Sequence, residues 1–342
     1  MKILIDVTHP AHVHFFKGAT QVWQDHGHEV KYVARDKEIT TQLLEEYQIP
    51  FTTISRIRKG LFGLSLELIE HQLRLYPIIR DYQPDVILNI GGTFVAHVGM
   101  LMGVTTCVFT DTEHARLANS ITFPFANHIC TPASFYEDLG KKQVRYKGYQ
   151  ELAYLHPNWF KPNPEILKEL GLGGSDPFFI LRFISWGASH DVGKKGFSDD
   201  DKIQLVEKLN SLGRVLVTSE SQLSKQLEPY TIKVSPTNIH DLLFYASMYI
   251  GEGATMATEA AILGTPSVYV NPLGSGNLDE IINQYHLMYH LTNDENLVES
   301  IISLAKDSEL KKIHKVRQQQ MLMDNIDVTK WMVNFVEKME GN

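Results

Sequence analysis

Three groups of residues in this 342-residue chain have types and spacings suited to chemistry. His9, His12 and His14 follow an apolar run, Lys2–Val7, that reads as a strand. A histidine after such a strand titrates near neutral pH and can take a proton from a hydroxyl. Three readings stay open: metal ligands, core or capping histidines, or substrate contacts with a general base. A loop running into a helix does not readily converge three rings on one ion, so no metal is expected. His14, on the first turn of a helix from about Val13 to His26, is the expected base, with His9 and His12 on the substrate. Asp111 and Glu113 flank Thr112 after the apolar run Thr105–Thr110. They suit a base with a positioning group, or equally an Asp cap with a Glu in the first turn of the next helix.

The third group is Met248–Asn271, MYIGEGATMATEAAILGTPSVYVN. It reads as strand, glycine turn, helix, turn and strand. Glycines at 251 and 253 let backbone approach a ligand, and the free N–H groups of the helix start face an anion, best a diphosphate. Met256, Ala260 and Leu263 are expected to face inward. Glu259 lies one turn on from Thr255, placed to accept from two ribose hydroxyls. The alternative is an ordinary βαβ unit with turn-making glycines and a solvated Glu259.

These groups must be held by alternating strands and helices, which imply parallel sheets with helices on both faces. One series runs to about Tyr149. A Pro- and Asn-rich stretch to Pro164 reads as a linker, and a second series follows, with strands that include Phe178–Ile184, Thr231–Val234 and Ser267–Val270. The expected fold is α/β, with two doubly wound Rossmann-type domains, 1–152 and 153–327, and an interdomain cleft. Loops at strand ends add candidates. Ile184–Gly196 carries Ser185, Trp186, His190, Asp191, Lys194 and Lys195, a mixture suited to a nucleotide sugar. Asn271–Asn277 is a second such loop, ending on Asn277. Arg56, Arg58 and Lys59 before Leu61-Phe62 read as a solvated basic loop, or as a contact with a lipid-linked acceptor or a membrane face. Asp199-Asp200-Asp201 after Ser198 reads as an acidic first helical turn. The helix that runs to Tyr82 reads as long and amphipathic.

A net charge of -8 argues against a general nucleic-acid binder. Cys107 and Cys130 fall in strands and read as core thiols in a reducing, cytoplasmic compartment. Val86–Thr110 lacks Asp, Glu, Lys and Arg over 25 residues, the length of a membrane span. Its Gly91-Gly92-Thr93 and His97 break it into strand, turn, helix and strand.

The 248–271 stretch, with His240-Asp241-Leu242-Leu243 before it, resembles the donor-nucleotide segment of GT-B glycosyltransferases. It is similar also to that of the non-hydrolysing UDP-N-acetylglucosamine 2-epimerases. Asp6–Phe16 and Ile184–Asp191 resemble a prokaryotic family of unknown function in that superfamily, whose members include MurG-like enzymes. The resemblance implies a GT-B-like fold in which Gly253, Ala254 and Thr255 contact the donor diphosphate, Glu259 holds the ribose and Ile239–Leu243 flank the base. It implies that the last helix, 328–342, packs back on the first domain. Glu113 falls where the epimerases carry a catalytic glutamate. Their following Ala-Gly-Leu-Arg run is replaced here by His114-Ala115-Arg116-Leu117, and their arginine-proline first loop by the histidine-rich one.

Three functions follow as expectations. The first is metal-independent, cofactor-free glycosyl transfer from a nucleotide-diphosphate sugar, UDP-linked by resemblance. Its acceptor would be a saccharide or lipid-linked, in surface polysaccharide or glycolipid assembly. The second is sugar-nucleotide epimerisation, with Asp111, Glu113 and His190 moving protons. The third is nucleotide-sugar binding without catalysis. The sequence leaves open the base, the sugar, peripheral contact with the inner membrane face, and whether the chain forms a homodimer.

Overall fold

A computed structural model describes residues 1–58, 60–174, 176–184, 196–220 and 222–341. The chain divides into two compact units. The first holds Met1–Trp159, Ser275–Asn277 and the segment from Asn325; the second holds Phe160–Gly274 and Leu278–Asp324.

In the first unit, β1 (Lys2–Val7), β2 (Glu29–Asp36), β3 (Phe51–Arg56), β4 (Val86–Ile90), β5 (Thr105–Phe109), β6 (His128–Pro132) and β7 (Gln143–Tyr146) form one parallel sheet. Its order is β3-β2-β1-β4-β5-β6-β7. Residues such as Ile3, Leu4, Ile5, Ile87 and Val108 are fully buried, as strands covered on both faces require. Because β2 lies on one side of β1 and β4 on the other, the winding reverses there. The loops after β1 and β4 flank that switch point.

The unit's helices are α1 (Pro10–Asp25), α2 (Glu38–Glu46), α3 (Gly60–Tyr82), α4 (Ala96–Met102), α5 (Arg116–Thr122) and α6 (Leu152–Leu155). α1 begins three residues earlier than its apolar period suggests. Pro10 occupies the first helical position, where its missing N–H costs nothing, and His9 is the N-cap. His14 therefore lies on the second turn, not the first. β7 was not anticipated; it is an edge strand whose Arg145 guanidinium donates to the carbonyls of Ala133, Phe135 and Glu137. The uncharged run 86–110 folds as strand, helix and strand. Among the described residues no helix is long and apolar enough to cross a membrane.

In the second unit, β8 (Phe178–Phe183), β9 (Arg214–Ser219), β10 (Met248–Gly251), β11 (Ser267–Val270) and β12 (Met288–Leu291) pair in parallel in the order β12-β11-β10-β8-β9. The winding reverses between β8 and β10, so Glu252 and Gly253 sit at this sheet's switch point. The helices are α7 (Glu165–Glu169), α8 (Asp199–Asn210), α9 (Ile239–Tyr245), α10 (Ala254–Ile262), α11 (Gly276–Asp279, continued by a π turn over Glu280–Gln284), α12 (Leu297–Ala305) and α13 (Leu310–Asp324), with Gly276 and Asn277 of α11 counted in the first unit. Thr231–Val234 is not a strand: only Thr231 bridges to Val217. Pro229 and Pro236, lacking N–H groups, bracket the segment and stop a ladder from growing. The acidic start of α8 is a capping box, Ser198 and Asp201 each accepting from the other's backbone.

α13 ties down the carboxyl ends of two helices. Lys311 Nζ donates to the carbonyls of Phe244, Tyr245 and Ala246 after α9. Lys315 Nζ donates to Leu263 and Gln318 Nε2 to Ile262, closing α10. Last, α14 (Val328–Glu337) packs on α1 and α6 of the first unit. Its N-cap Asp327 accepts from Lys330 N, Trp159 Nε1 and Asn158 Nδ2 at 2.9, 2.8 and 2.7 Å.

Candidate functional site

In the second unit the chain leaves β10 through Gly251-Glu252-Gly253 and enters α10 at Ala254. Gly253 is the N-cap, with φ -95 and ψ 128, and no side-chain hydrogen bond caps the helix among the described residues. Thr255 is exposed and Ala254 half-buried. The first amides of α10 thus point to the carboxyl edge of the sheet with the positive end of the helix dipole behind them. The two glycines have different reasons. A Cβ on Gly251 would lie 2.1 Å from the buried Tyr249 hydroxyl, so packing demands that glycine. A Cβ on Gly253 would meet only Ile184 Cγ2, at 3.5 Å, and its φ is ordinary. Nothing among the described residues requires glycine there.

Glu259 is not solvated. It is 4% exposed, and its Oε1 lies 3.1 Å from His240 Nε2, itself 5% exposed. The pair joins α9 to α10, with the Phe160 ring edge-on to His240 at 6.4 Å. Met256 is only half-buried; the inward row of α10 is Ala257, Ala260, Ala261 and Leu263. A row of alanines lets α10 lie close to its sheet.

Glu252, which no local sequence pattern marks, anchors this edge. Fully buried, it accepts from Ile184 N through Oε2 and from Phe197 N through Oε1, both at 2.9 Å. One carboxylate thereby holds the two ends of the connection from β8 to α8. Asn271 Nδ2 donates to the Glu252 carbonyl at 2.9 Å. Ser185, Trp186, His190, Asp191, Lys194 and Lys195 lie outside the described residues. Arg182, inside β8, pairs with Glu220 Oε1 at 2.8 Å.

In the first unit, Asp111 and Glu113 follow β5 and cap no helix. The N-cap of α5 is Ala115, and the first turn of α5 contains no acidic residue. Glu113 Oε1 accepts from Tyr136 N and Gly276 N, each at 3.2 Å. Its Oε2 is buried and has no hydrogen-bond partner among the described residues. Gly276 is pressed against the Ser134 carbonyl, where a Cβ would stand only 1.9 Å away. Asn277 is buried beside it and accepts from Ser134 Oγ at 2.5 Å. Burial pushes the Asp111 carboxyl above its ordinary range, and the neighbouring Glu113 charge pushes it the same way, against a hydrogen bond from Thr112.

His9 and His12 lie together, ring centroids 5.9 Å apart, and His14 packs elsewhere, on Tyr154 and Tyr47. His9 Nδ1 accepts from Ala11 N as the cap of α1. His12 Nδ1 accepts from Thr8 N at 3.3 Å, and burial, then the nearby His9 and Lys37, hold its pKa well below the usual value, so it is neutral. His14 is enclosed: its ring stacks on Tyr154 at 5.4 Å, meets Tyr47 edge-on at 5.8 Å, and Nδ1 bonds the Tyr47 hydroxyl at 3.2 Å. Among the described residues no cluster of His, Cys, Asp and Glu has metal-binding geometry.

A buried polar chain lies under the first unit's switch point. Asp6 Oδ2 meets His71 Nε2 and Asn89 Nδ2, both at 3.2 Å, and His71 Nδ1 bonds Ser55 Oγ at 2.8 Å. Asn89 Oδ1 in turn accepts from Gly92 N at 2.5 Å. Gly92 has φ +69, and its Cβ position is filled by Val108 and Thr122, so no other residue fits that turn. Nothing in the sequence flags the chain, since Asp6 and His71 lie 65 positions apart.

Two doubly wound parallel units define a GT-B-like α/β fold. The chain belongs to the family described as protein of unknown function (DUF354), whose model matches residues 1–339. It is 25% identical over 321 residues to the uncharacterized protein MJ0665 of Methanocaldococcus jannaschii, covering 90% of this chain and 92% of that one. It is 24% identical over 281 residues to the UDP-N-acetylglucosamine–N-acetylmuramyl-(pentapeptide) pyrophosphoryl-undecaprenol N-acetylglucosamine transferase of Haemophilus influenzae, covering 78% and 76%. A similar solved structure is the UDP-GlcNAc 2-epimerase of Neisseria meningitidis bound to UDP-GlcNAc, with TM-score 0.71, 13% identity and coverage of 99% and 100%.

Proposed function

We propose that this protein is a metal-independent glycosyltransferase that uses a nucleotide-diphosphate sugar, UDP-linked, as donor. The observation that carries the reading is the switch-point corner of the second unit. There, among the described residues, a helix start without a side-chain cap, a glycine that packing does not require and a buried carboxylate lie along one segment. The diphosphate sits over the amides of Gly253, Ala254 and Thr255, and Glu259, oriented by His240, accepts from the ribose hydroxyls. Amides fixed in advance at the leaving diphosphate stabilise the charge that grows as the glycosidic C1–O bond breaks. The acceptor oxygen attacks C1, its proton passes to a carboxylate, and the nucleoside diphosphate departs.

Glu113 is the proposed proton acceptor, since its Oε2 is buried and lacks a partner among the described residues, with Asp111 beside it. His14, filled in by two tyrosines, holds α1 in place, and His9 and His12 line the first switch point. The undecaprenol-linked acceptor in the name of the Haemophilus relative supports a saccharide or lipid-linked acceptor, in surface polysaccharide or glycolipid assembly.

A second reading, epimerisation of the bound sugar, is favoured by the same Asp111–Glu113 pair, two carboxylates with one proton-hungry member. Incubation with UDP-N-acetylglucosamine alone separates the two. Release of UDP only when an acceptor is added supports transfer; appearance of the manno epimer with no acceptor supports epimerisation. Absence of both, and of any UDP binding, refutes the site.

A further inference from the structure

α3 is turned inside out over much of its length. Its inward row is Glu67, His71, Leu75 and Ile79, all buried, with Glu67 paired to Arg35 and His71 to Asp6. The opposite face carries Phe62, Leu66, Ile69, Leu73 and Tyr76, each between 39% and 77% exposed. Intervals of four, three, four and three residues make this a straight seam of the kind that packs against another helix. α4, which packs on α3, adds Met100 and Leu101, 58% and 75% exposed. A contiguous apolar seam of this length on a soluble surface marks a contact.

We propose that the seam is an interface between two copies of this chain, formed by antiparallel α3 helices about a two-fold axis near residue 71. The choice of occupant rests on charge. A helix that lies on a lipid surface keeps free cations beside its apolar face. Here the arginines around the seam are already paired: Arg56 with Asp36, Arg58 and Arg74 with Glu70, and Arg80 with Asp81. Among the described residues the remaining polar flanks are Ser65 and Gln72, both neutral. A neutral, heptad-spaced seam suits a second helix better than lipid headgroups. It is also self-complementary. The axis sets Leu66 of one copy against Tyr76 of the other, and Ile69 against Leu73, the isologous match that a closed dimer needs. This interface is independent of the donor-site reading, because no seam residue belongs to that site.

The test is sedimentation equilibrium of the full chain at micromolar concentration, beside Ile69→Glu/Leu73→Glu. Both substitutions are at exposed positions, and thermal melts verify that the variant folds. Wild type should sediment as a dimer and the variant as a monomer with an unchanged melting temperature. The variant Leu66→Cys/Tyr76→Cys reads the geometry. Its cysteines are about 15 Å apart along one helix, too far to bridge within a chain, so oxidation should give a covalent dimer. A monomeric wild type, a dimer that survives the glutamates, or failure of the cysteine pair to cross-link overturns the proposal. So does a monomeric wild type that binds phosphatidylglycerol vesicles and loses them in the glutamate variant, which assigns the seam to lipid.

Discussion

Replacing Glu259 with glutamine keeps shape and one acceptor oxygen but removes the charge that a ribose diol would meet. Hydrogen bonds to a charged acceptor are worth about 1.5–3 kcal/mol, against about 0.5–1.5 for neutral ones. The exchange should therefore weaken UDP binding by about 1–2 kcal/mol, roughly five- to thirtyfold in Kd. Weakening alone could come from a disturbed α9–α10 contact, because His240 shares the carboxylate at 3.1 Å. The sharper readout is a ratio. Wild type should prefer UDP to 2′-deoxy-UDP by about tenfold, the loss of one charge-assisted bond. In Glu259→Gln that preference should shrink toward unity, while the preference for UDP over UMP, set by the amides of α10, stays. Calorimetry with the three nucleotides on both proteins supplies the numbers. An undiminished UDP to 2′-deoxy-UDP ratio in the variant would refute the placement of the ribose.

Glycine variants should separate packing from ligand reasons. Gly253→Ala should melt with wild type yet bind UDP at least several-fold more weakly, whereas Gly276→Ala, driven into the Ser134 carbonyl, should lose about 1–3 kcal/mol and several degrees of melting temperature. For Asp111, whose folded pKa is raised by burial, the native state holds a proton that the unfolded state has released. Stability should therefore fall as pH rises through the window just above the usual Asp value, and Asp111→Asn should flatten that slope in pH-dependent melts. His12 runs the other way. Its folded pKa is depressed below 6.5, so stability present above 6.5 should be lost on acidification, and His12→Gln should retain more of it. Lys311→Met removes three bonds to the end of α9 and should cost about 1–3 kcal/mol in denaturant titrations.

Local pattern carried much of the fold. Strand, glycine turn and helix at 248–263 were legible because period and punctuation agree there, and Gly264, with φ +72, closes α10 as its C-terminal glycine should. What local pattern lacks is partners. Glu259 and His240 are 19 positions apart, and no rule of spacing says that they meet. Glu252 read as a turn residue, because its two donors, Ile184 and Phe197, lie far upstream. The period of α3 was plain, but period alone does not say which face is inward. Asp6, a distant strand residue, draws His71 to the sheet and so turns the leucines out. Thr231–Val234 had the β-branched look of a strand without a neighbour to complete it.

The most direct test is a crystal structure of the protein soaked with UDP. It should show the diphosphate oxygens within hydrogen-bond reach of the Ala254 and Thr255 amides and the ribose hydroxyls on Glu259. Nucleotide bound elsewhere, with that corner left to solvent, would contradict it.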